Sequence, residues 1–490
     1  YSTISPSLGE NSLSAMVLAG VIAFALILVL MTALYRLPGF LACIALAGQV
    51  AATLAFVSGY FPVFESFTLT LPGIAGIILA IGMGVDANVI TAERIKEELR
   101  SGKSLDGALK SGFARGLTPI IDGNVTIVIV AVVLMGAFGP SDGFFAKALH
   151  FVFFAFGPST AGTIYAFGYT LLTGVLLNFV FGIFATRTMI RGAASIKALR
   201  NPCLYGADAP GKTPAEKKQV DFVGLRKRFL TISACLMAAI VLCAVVLGVH
   251  LDTEFTGGAM ITLSYENSFE MSAVQKTASE ALGSNGLTLQ TGENVATGEQ
   301  TLKISMPGTE TVTTDEVQTL LAVVFALVLI LAYIAYRFKR IGGLTGGMMA
   351  VLALLNDLMV VFGTFVLLRA PLDGNFIAAM LTILGYSIND TVVVYDRIRE
   401  NRSLLGKKAS FEELVNHSVN QSARRTIITT VTTVMALGVM CVVSKLYGLD
   451  SIFTFAFPLM MGMLSGVYTS LCVSTSAWVA WSERRGAKKN

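Results

Sequence analysis

The chain has 490 residues, 54% hydrophobic and 14% charged, with a formal charge of +5 at pH 7. Its mean hydropathy is +0.71. Soluble domains carry roughly 25% charged residues, so these values exclude a water-soluble globular protein and point to an integral membrane protein.

Apolar runs able to cross about 30 Å of hydrocarbon at 1.5 Å per residue fall at 14–35, 39–58, 71–92, 117–138, 160–186, 229–249, 318–336, 343–369, 374–395, 426–444 and 451–481, about eleven spans. Short cytoplasmic loops collect Lys and Arg. Arg36, the 93–116 loop, the 187–228 linker, Arg337 to Arg340, the 396–425 loop and the tail Arg484 to Lys489 share one side of this array. The other side holds mainly Lys147, Lys276, Lys303, Arg369 and Lys445. The basic side, and the C-terminus with it, is therefore assigned to the cytoplasm. Tyr1 then lies outside with no Met and no upstream span, so a leading part is expected to be missing.

Residues 1–200 form a first half of about five spans, 201–228 a linker, 229–250 the first span of a second half, 251–317 an aqueous segment and 318–490 the remaining spans. The linker contains Pro202, Pro210, Pro214, Gly211 and a run of Lys, a composition that predicts flexibility. In 251–317, Met260 to Tyr265, Leu287 to Gln290 and Thr301 to Met306 alternate as strands, and Met271 to Leu282 has helical spacing. This β-α-β-β order lacks the last helix and strand of a ferredoxin-like unit, and omission of residues before Val317 is the expected reason. Residues 143–156, between Ser141 and Ser159, are aromatic and too short to span, which predicts an interfacial helix. The fold class is therefore an all-α polytopic membrane protein with two pseudo-symmetric parallel helical-bundle halves, plus a small, incomplete α+β ferredoxin-like extracytoplasmic domain.

Two stretches about 300 residues apart read as one helix written twice. The first runs from Gly82 through Asp86 and Asn88 to Glu93, Arg94, Ile95, Lys96 and Glu97. The second runs from Gly385 through Asn389, Asp390 and Thr391 to Asp396, Arg397, Ile398, Arg399 and Glu400. Ser104-Leu105 and Ser410-Phe411 continue the repeat, which predicts halves related by an axis along the membrane normal.

An ionisable group inside a bilayer costs about 2.5 to 3.5 kcal/mol and is a functional candidate by default. Asp86 lies about 22 Å along its span and Asp390 about 21 Å along its own, which places both in the cytoplasmic third of the membrane. Asp122, about 8 Å into a span entered from the cytoplasm, reaches the same level. Asn88, Asn124, Asn178, Asn389, Thr391 and the Thr429 to Thr433 cluster add polar groups at comparable depths. Arg425 aligns with Pro119, within a turn of this layer, and is the best cation to face Asp390 or Asp86. An aspartate near a movable arginine can alternate between neutral and ionised states, which is what a proton carrier requires. The bland alternatives are that Asp86, Asp390 and Asp122 are interhelical struts and that Arg424 and Arg425 are positive-inside anchors. Asp357, also inside a span, either joins the relay or braces a helix. Glu93-Arg94 and Asp396-Arg397 read as short ion pairs at the membrane exit.

Cys43, Cys203, Cys235, Cys243, Cys441 and Cys472 suit no extracytoplasmic disulfide framework, and the widely separated His150, His250 and His417 suit no metal site. Gly257-Gly258 is followed by no Walker lysine, and no nucleophile elbow or HExxH motif occurs. No enzyme activity, cofactor or metal is expected, little supports nucleic-acid binding, and an ion gradient is the expected energy source.

The segment Val85 to Val89 with Glu93-Arg94-Ile95, and Gly385 to Val392 with Tyr395 to Asn401, resemble the signature helices of SecD and SecF respectively. Phe255 to Gly258, Asn420-Gln421 and Arg425-Thr426 extend the likeness over almost the whole chain, whose order resembles a SecD–SecF fusion. The resemblance implies an accessory of the bacterial Sec translocon, akin to proton-driven resistance-nodulation-division transporters, with twelve spans and two main extracytoplasmic domains. It also implies a bacterial cytoplasmic-membrane location, contact with membrane lipid, and use of the proton-motive force to promote export of preproteins emerging from SecYEG, with YidC and YajC as further partners. Asp86 and Asp390 would match the family's proton-pathway aspartates, and Arg425 its facing arginine. Three features depart from the pattern: the first span and first extracytoplasmic domain are absent, the second domain is short, and the 141–159 insert is long. The rival readings are a proton-driven exporter of lipid or small molecules and a passive scaffold.

Overall fold

The computed structural model describes residues 6–58, 60, 71–139, 162–207, 219–251, 258–265, 288–293, 300–307, 314–405 and 410–487. In lipid each backbone polar group must be paired within the chain, so long apolar runs fold as helices. They are α1 (Pro6–Val57), α2 (Leu71–Arg100), α3 (Leu105–Phe138), α4 (Gly162–Asn178), α5 (Thr186–Ser195), α6 (Arg226–Leu247), α7 (Thr314–Arg337), α8 (Gly343–Leu368), α9 (Gly374–Leu405), α10 (Phe411–Leu446), α11 (Asp450–Tyr468) and α12 (Thr475–Ala487). Nine described helical stretches are long and apolar enough to cross a membrane, with Leu321–Arg337 a shorter apolar one.

α1 is two helices joined at Arg36, whose φ of 54° and ψ of −126° break the spiral. In a straight helix Met31 and Gly39 would stand about 12 Å apart, yet a Cβ on Gly39 would strike the Met31 carbonyl. The chain therefore doubles back between two expected spans, 14–35 and 39–58. The second half repeats the device: a Cβ on Gly343, at the start of α8, would strike the Ala335 carbonyl of α7.

Helix packing carries the repeat into three dimensions. α3 packs along α9 and α2 along α10, while α1 packs on α10 and α7 on α3. These contacts interchange when α1, α2 and α3 are swapped for α7, α9 and α10, which is the signature of a pseudo-twofold axis between two parallel halves. One hydrophobic core, from Leu79 and Val130 to Leu384 and Leu459, runs through both. The last span of each half contains a π-helical turn, Phe179–Ala185 between α4 and α5 and Thr469–Ser474 between α11 and α12.

The regions expected as basic loops are mostly helix. α2 continues to Arg100 and α3 starts at Leu105, capped by Ser104, whose Oγ accepts from the Gly107 N–H. α10 starts at a capping box in which Ser410 and Glu413 exchange side chain and backbone hydrogen bonds. Such a box satisfies two otherwise orphaned N–H groups. The linker is not uniformly flexible either. Tyr205 is buried against Ile95, Leu109 and Ile190 of the first half. Asn420 of the second half both donates to and accepts from the backbone of Val220.

Three strands, β1 (Gly258–Tyr265), β2 (Thr288–Glu293) and β3 (Gln300–Pro307), form an antiparallel sheet in the order β1-β3-β2. They lie where alternation predicts strands. β3 sits between the other two, pairing Ile261 with Ile304 on one side and Leu289 with Ile304 on the other. β1 and β2 are thus parallel and split by β3, the arrangement of a split βαβ unit. The helix expected at 271–282 and the interfacial helix expected within 141–159 lie outside the described residues.

Gly343→Val forces a side chain into the Ala335 carbonyl, and overpacking of this kind costs about 1–3 kcal/mol. A lower melting temperature than wild type in detergent is expected, and the same holds for Gly39→Val.

Candidate functional site

Close approach of helices at the pseudo-twofold axis requires residues without bulk, since backbones meet where side chains are small. Gly82 of α2 faces Thr433 of α10, and its counterpart Gly385 of α9 faces Val130 and Ile127 of α3. One helical turn further, Gly123 of α3 leaves no room for a Cβ because Asn389 occupies that space. Held there, Asn389 donates from Nδ2 to Asp86 Oδ2 at 2.8 Å. Asp86 and Asn389 occupy the same place in the two copies of the repeat, so the axis brings equivalent positions face to face.

Asp390, the next residue, is held loosely: Thr430 Oγ1 lies 3.5 Å from its Oδ2. The Asp86 Oδ1 atom is buried and accepts no hydrogen bond among the described residues. Both acids line a small cavity of about 30 Å³ together with Asn124, Asn389, Thr429 and Thr433. Space for one water molecule needs only about 10–15 Å³, so the cavity has room for a water beside the carboxyls.

Arg425 lies one turn before Thr429 on α10 and lines a separate cleft of about 760 Å³ with Glu93, Arg94, Glu97, Arg397 and Arg424. Thr429 and Thr430, in the next turn of the same helix, line the cavity of the two acids. The Arg425 Nε is buried without a hydrogen-bond partner among the described residues. Arg425 thus lies about one helical turn from the acid cavity, and no described hydrogen bond or ion pair ties it to either acid.

Other expected members go elsewhere. Asp122 does not join the two acids: its Oδ1 accepts from Arg337 Nε at 2.7 Å and from Tyr333 OH at 3.2 Å, both on α7. The reason is helical phase, since Gly123 takes the face of α3 toward Asn389 and turns Asp122 away. Asn88 donates back to the Gly84 carbonyl of its own helix at 2.9 Å. Thr391 meets Ser470 of the π-helical turn at 2.8 Å. Asp357 is fully buried among Ser387, Ser465 and Thr469. Among the secondary polar residues, Asn389 alone touches either acid through a described hydrogen bond.

The exit motifs also pair differently from a simple Glu93-Arg94 and Asp396-Arg397 scheme. Glu93 accepts from Tyr35 at 3.0 Å and lies 3.6 Å from Arg424, while Asp396 pairs with Arg399. Arg94 binds Glu97 at 3.0 Å and, across the axis, Glu400 at 2.9 Å. Arg397 binds Glu400 at 2.7 Å and, across the axis, Glu97 at 3.3 Å. The four residues form a reciprocal square, and Arg115 adds a further pair to Glu400 and one to Glu98. A signal for it existed in the sequence: identical Arg-x-x-Glu motifs on helices related by a twofold must face each other.

A family model, the protein export membrane protein SecD/SecF C-terminal family, matches residues 1–166 and 293–484. The chain belongs to this family. A protein translocase subunit SecDF of Bacillus subtilis is 31% identical over 99% of the chain and 66% of its own length. A crystal structure of SecDF from Thermus thermophilus, described as a translocon-associated membrane protein, superposes with a TM-score of 0.80 at 28% identity over 98% of the chain and 64% of that protein. The chain therefore spans just under two thirds of these relatives. A cryo-EM structure of the hedgehog release protein Disp from a water bear shares the fold alone, with a TM-score of 0.57 at 9% identity. Like the SecDF relatives, the chain is a multi-pass membrane protein with two helical halves.

Replacing Gly123 by Ala places a methyl group on Asn389 Oδ1 and separates Asn389 from Asp86. The expected outcome is a loss of about 1–3 kcal/mol of stability, accompanied in a structure of the variant by a rotated Asn389 side chain.

Proposed function

We propose that this chain is the membrane engine of a Sec translocon accessory subunit, using the proton-motive force to promote preprotein export. It sits in the bacterial cytoplasmic membrane with the Arg94 face and the C-terminus in the cytoplasm. SecYEG is the partner, with YidC and YajC as further ones. Residues 1–200 act as the SecD-like half and 229–490 as the SecF-like half, joined by 201–228, and 251–317 belongs to an extracytoplasmic domain of ferredoxin-like type.

One observation carries the reading: Asp86 and Asp390 line one cavity at the axis between the halves, about one helical turn from an arginine that pairs with neither. A proton reaching Asp390 removes its attraction for Arg425, and loss of that proton restores it. Arg425 and Thr430 both lie on α10, whereas Asp86 lies on α2, so each change in charge pulls differently on the two halves. Moving one charge through 100 mV supplies about 2.3 kcal/mol, which shifts a two-state equilibrium about fiftyfold. Arg337 neutralises Asp122 by direct contact, which gives that acid a bracing role rather than one in the relay.

In inverted vesicles with an imposed proton gradient, Asp390→Asn is expected to abolish the gradient-dependent part of preprotein export, and Arg425→Ala to reduce it about tenfold or more. An unchanged rate in Asp390→Asn would identify the chain as a scaffold. A sodium gradient imposed at constant pH separates the two candidate coupling ions: proton coupling predicts no stimulation.

A further inference from the structure

The second half holds another intramembrane carboxyl, in a setting unlike any other among the described residues. Asp357 on α8 is wholly buried. Ser387 Oγ lies 2.5 Å from its Oδ2, Ser465 Oγ 2.5 Å from its Oδ1, and Thr469 Oγ1 2.8 and 3.0 Å from the two oxygens. Among the described residues no cation pairs with it. Asp122 shows the contrast, because Arg337 Nε lies 2.7 Å from its Oδ1.

A cage of hydroxyls can serve either protonation state, since each can donate or accept. With Asp357 ionised, Ser387, Ser465 and Thr469 all donate to it. With Asp357 neutral, its new O–H donates to Thr469 Oγ1, and Thr469 turns its own hydrogen to the Gly466 carbonyl 3.2 Å away. Ser387 and Ser465 go on donating, and Ser465 Oγ keeps the hydrogen bond from Asn356 Nδ2 at 3.4 Å. Rotation of one hydroxyl therefore accommodates either state with every hydrogen placed. Ser387 also lines the cavity that holds Asp390, so one side chain touches both carboxyl environments.

The fold does not require this acid. The paired glycines Gly39 and Gly343 align Asp357 with Thr53, and Gly82 and Gly385 align Ser387 with Gly84. Among the described residues Thr53 Oγ1 bonds to the Gln49 carbonyl of its own helix at 2.8 Å, so the first half forms the same helix junction without a carboxylate.

We propose that Asp357 is a second proton-holding carboxyl, exchanging its proton with Asp390 through Ser387. In the loading step Asp390 gives its proton to a water in the cavity, which passes one on to Ser387 Oγ. Ser387 hands its own hydroxyl proton to Asp357 Oδ2. One O–H bond is lost at Asp390 and one is gained at Asp357, and total charge is unchanged. This rests on the relay reading of Asp390, with a readout that does not depend on export.

Infrared difference spectroscopy on the full chain in proteoliposomes, with and without an imposed proton gradient, tests it. The protonated-carboxyl band is expected to contain a component that is absent from Asp357→Asn, shifts in D2O and changes intensity when the gradient is applied. Ser387→Ala should leave that component present but abolish its gradient response. Export driven by the gradient should fall about tenfold or more in Thr469→Val and be retained in Thr469→Ser, which keeps the hydroxyl. A component missing from wild type, or one whose intensity ignores the gradient, overturns the proposal and makes Asp357 a fixed strut. A responsive component without any gradient-driven export would instead sink the export reading and leave the proton site standing.

Discussion

A pseudo-twofold axis forces a duplicated sequence to look at itself. Because α2 and α9 are copies related by that axis, Asp86 meets Asn389, and Arg94 and Glu97 meet Glu400 and Arg397. In a low-dielectric interior such meetings carry high stakes, since an unpaired charge is expensive and a paired one holds two helices together. Two copies with identical charge at the axis would repel. The reciprocal square solves this with opposite charges three residues apart in each copy, and the acid layer solves it by substitution, an aspartate in one copy and its amide in the other.

Much of this was legible in the sequence because hydrophobic runs of membrane length and a long repeat leave few architectures open. The expected spans fall on helices, and the alternating stretches of 251–317 are strands. Depth along a helix was legible too, which is why Asp86 and Asp390 were found together. Helical phase was not: Asp122 stands beside Gly123, and one step around α3 sends it to Arg337. Rise per residue depends only on position, whereas the direction of a side chain depends on which neighbour packs closest. That was decided by Gly123 against Asn389, a contact between residues far apart in the chain. The exit ion pairs were misread for a related reason, because adjacent residues such as Glu93 and Arg94 point to different sides of a helix.

The two halves have diverged in a consistent direction. Where the first has Arg115 donating to Glu98, the second has, at the matching positions, Asn401 donating to Gln421 at 2.9 Å. Where the first has Ala87, Pro119 and Thr53, the second has Asp390, Arg425 and Asp357. The second half thus has a neutral pair at one exit position and additional charges within its membrane layer, on the same scaffold. The first half contributes Asp86 to the axis and holds its other intramembrane acid, Asp122, in a contact pair.

On the proposed reading, what separates a bracing acid from a proton-carrying one in this fold is the kind of partner. A guanidinium in contact, as at Asp122, ties α3 to α7. Partners that can reverse their hydrogen bond, such as Ser387, Ser465, Thr469 and Thr430, leave the charge free to change. In the proposed mechanism the Arg425 guanidinium acts on Asp390 without contact, so its pull depends on whether a proton is present. Replacing any of these hydroxyl contacts by an arginine would, on that reading, tie the helices together by an ion pair and make a worse proton site.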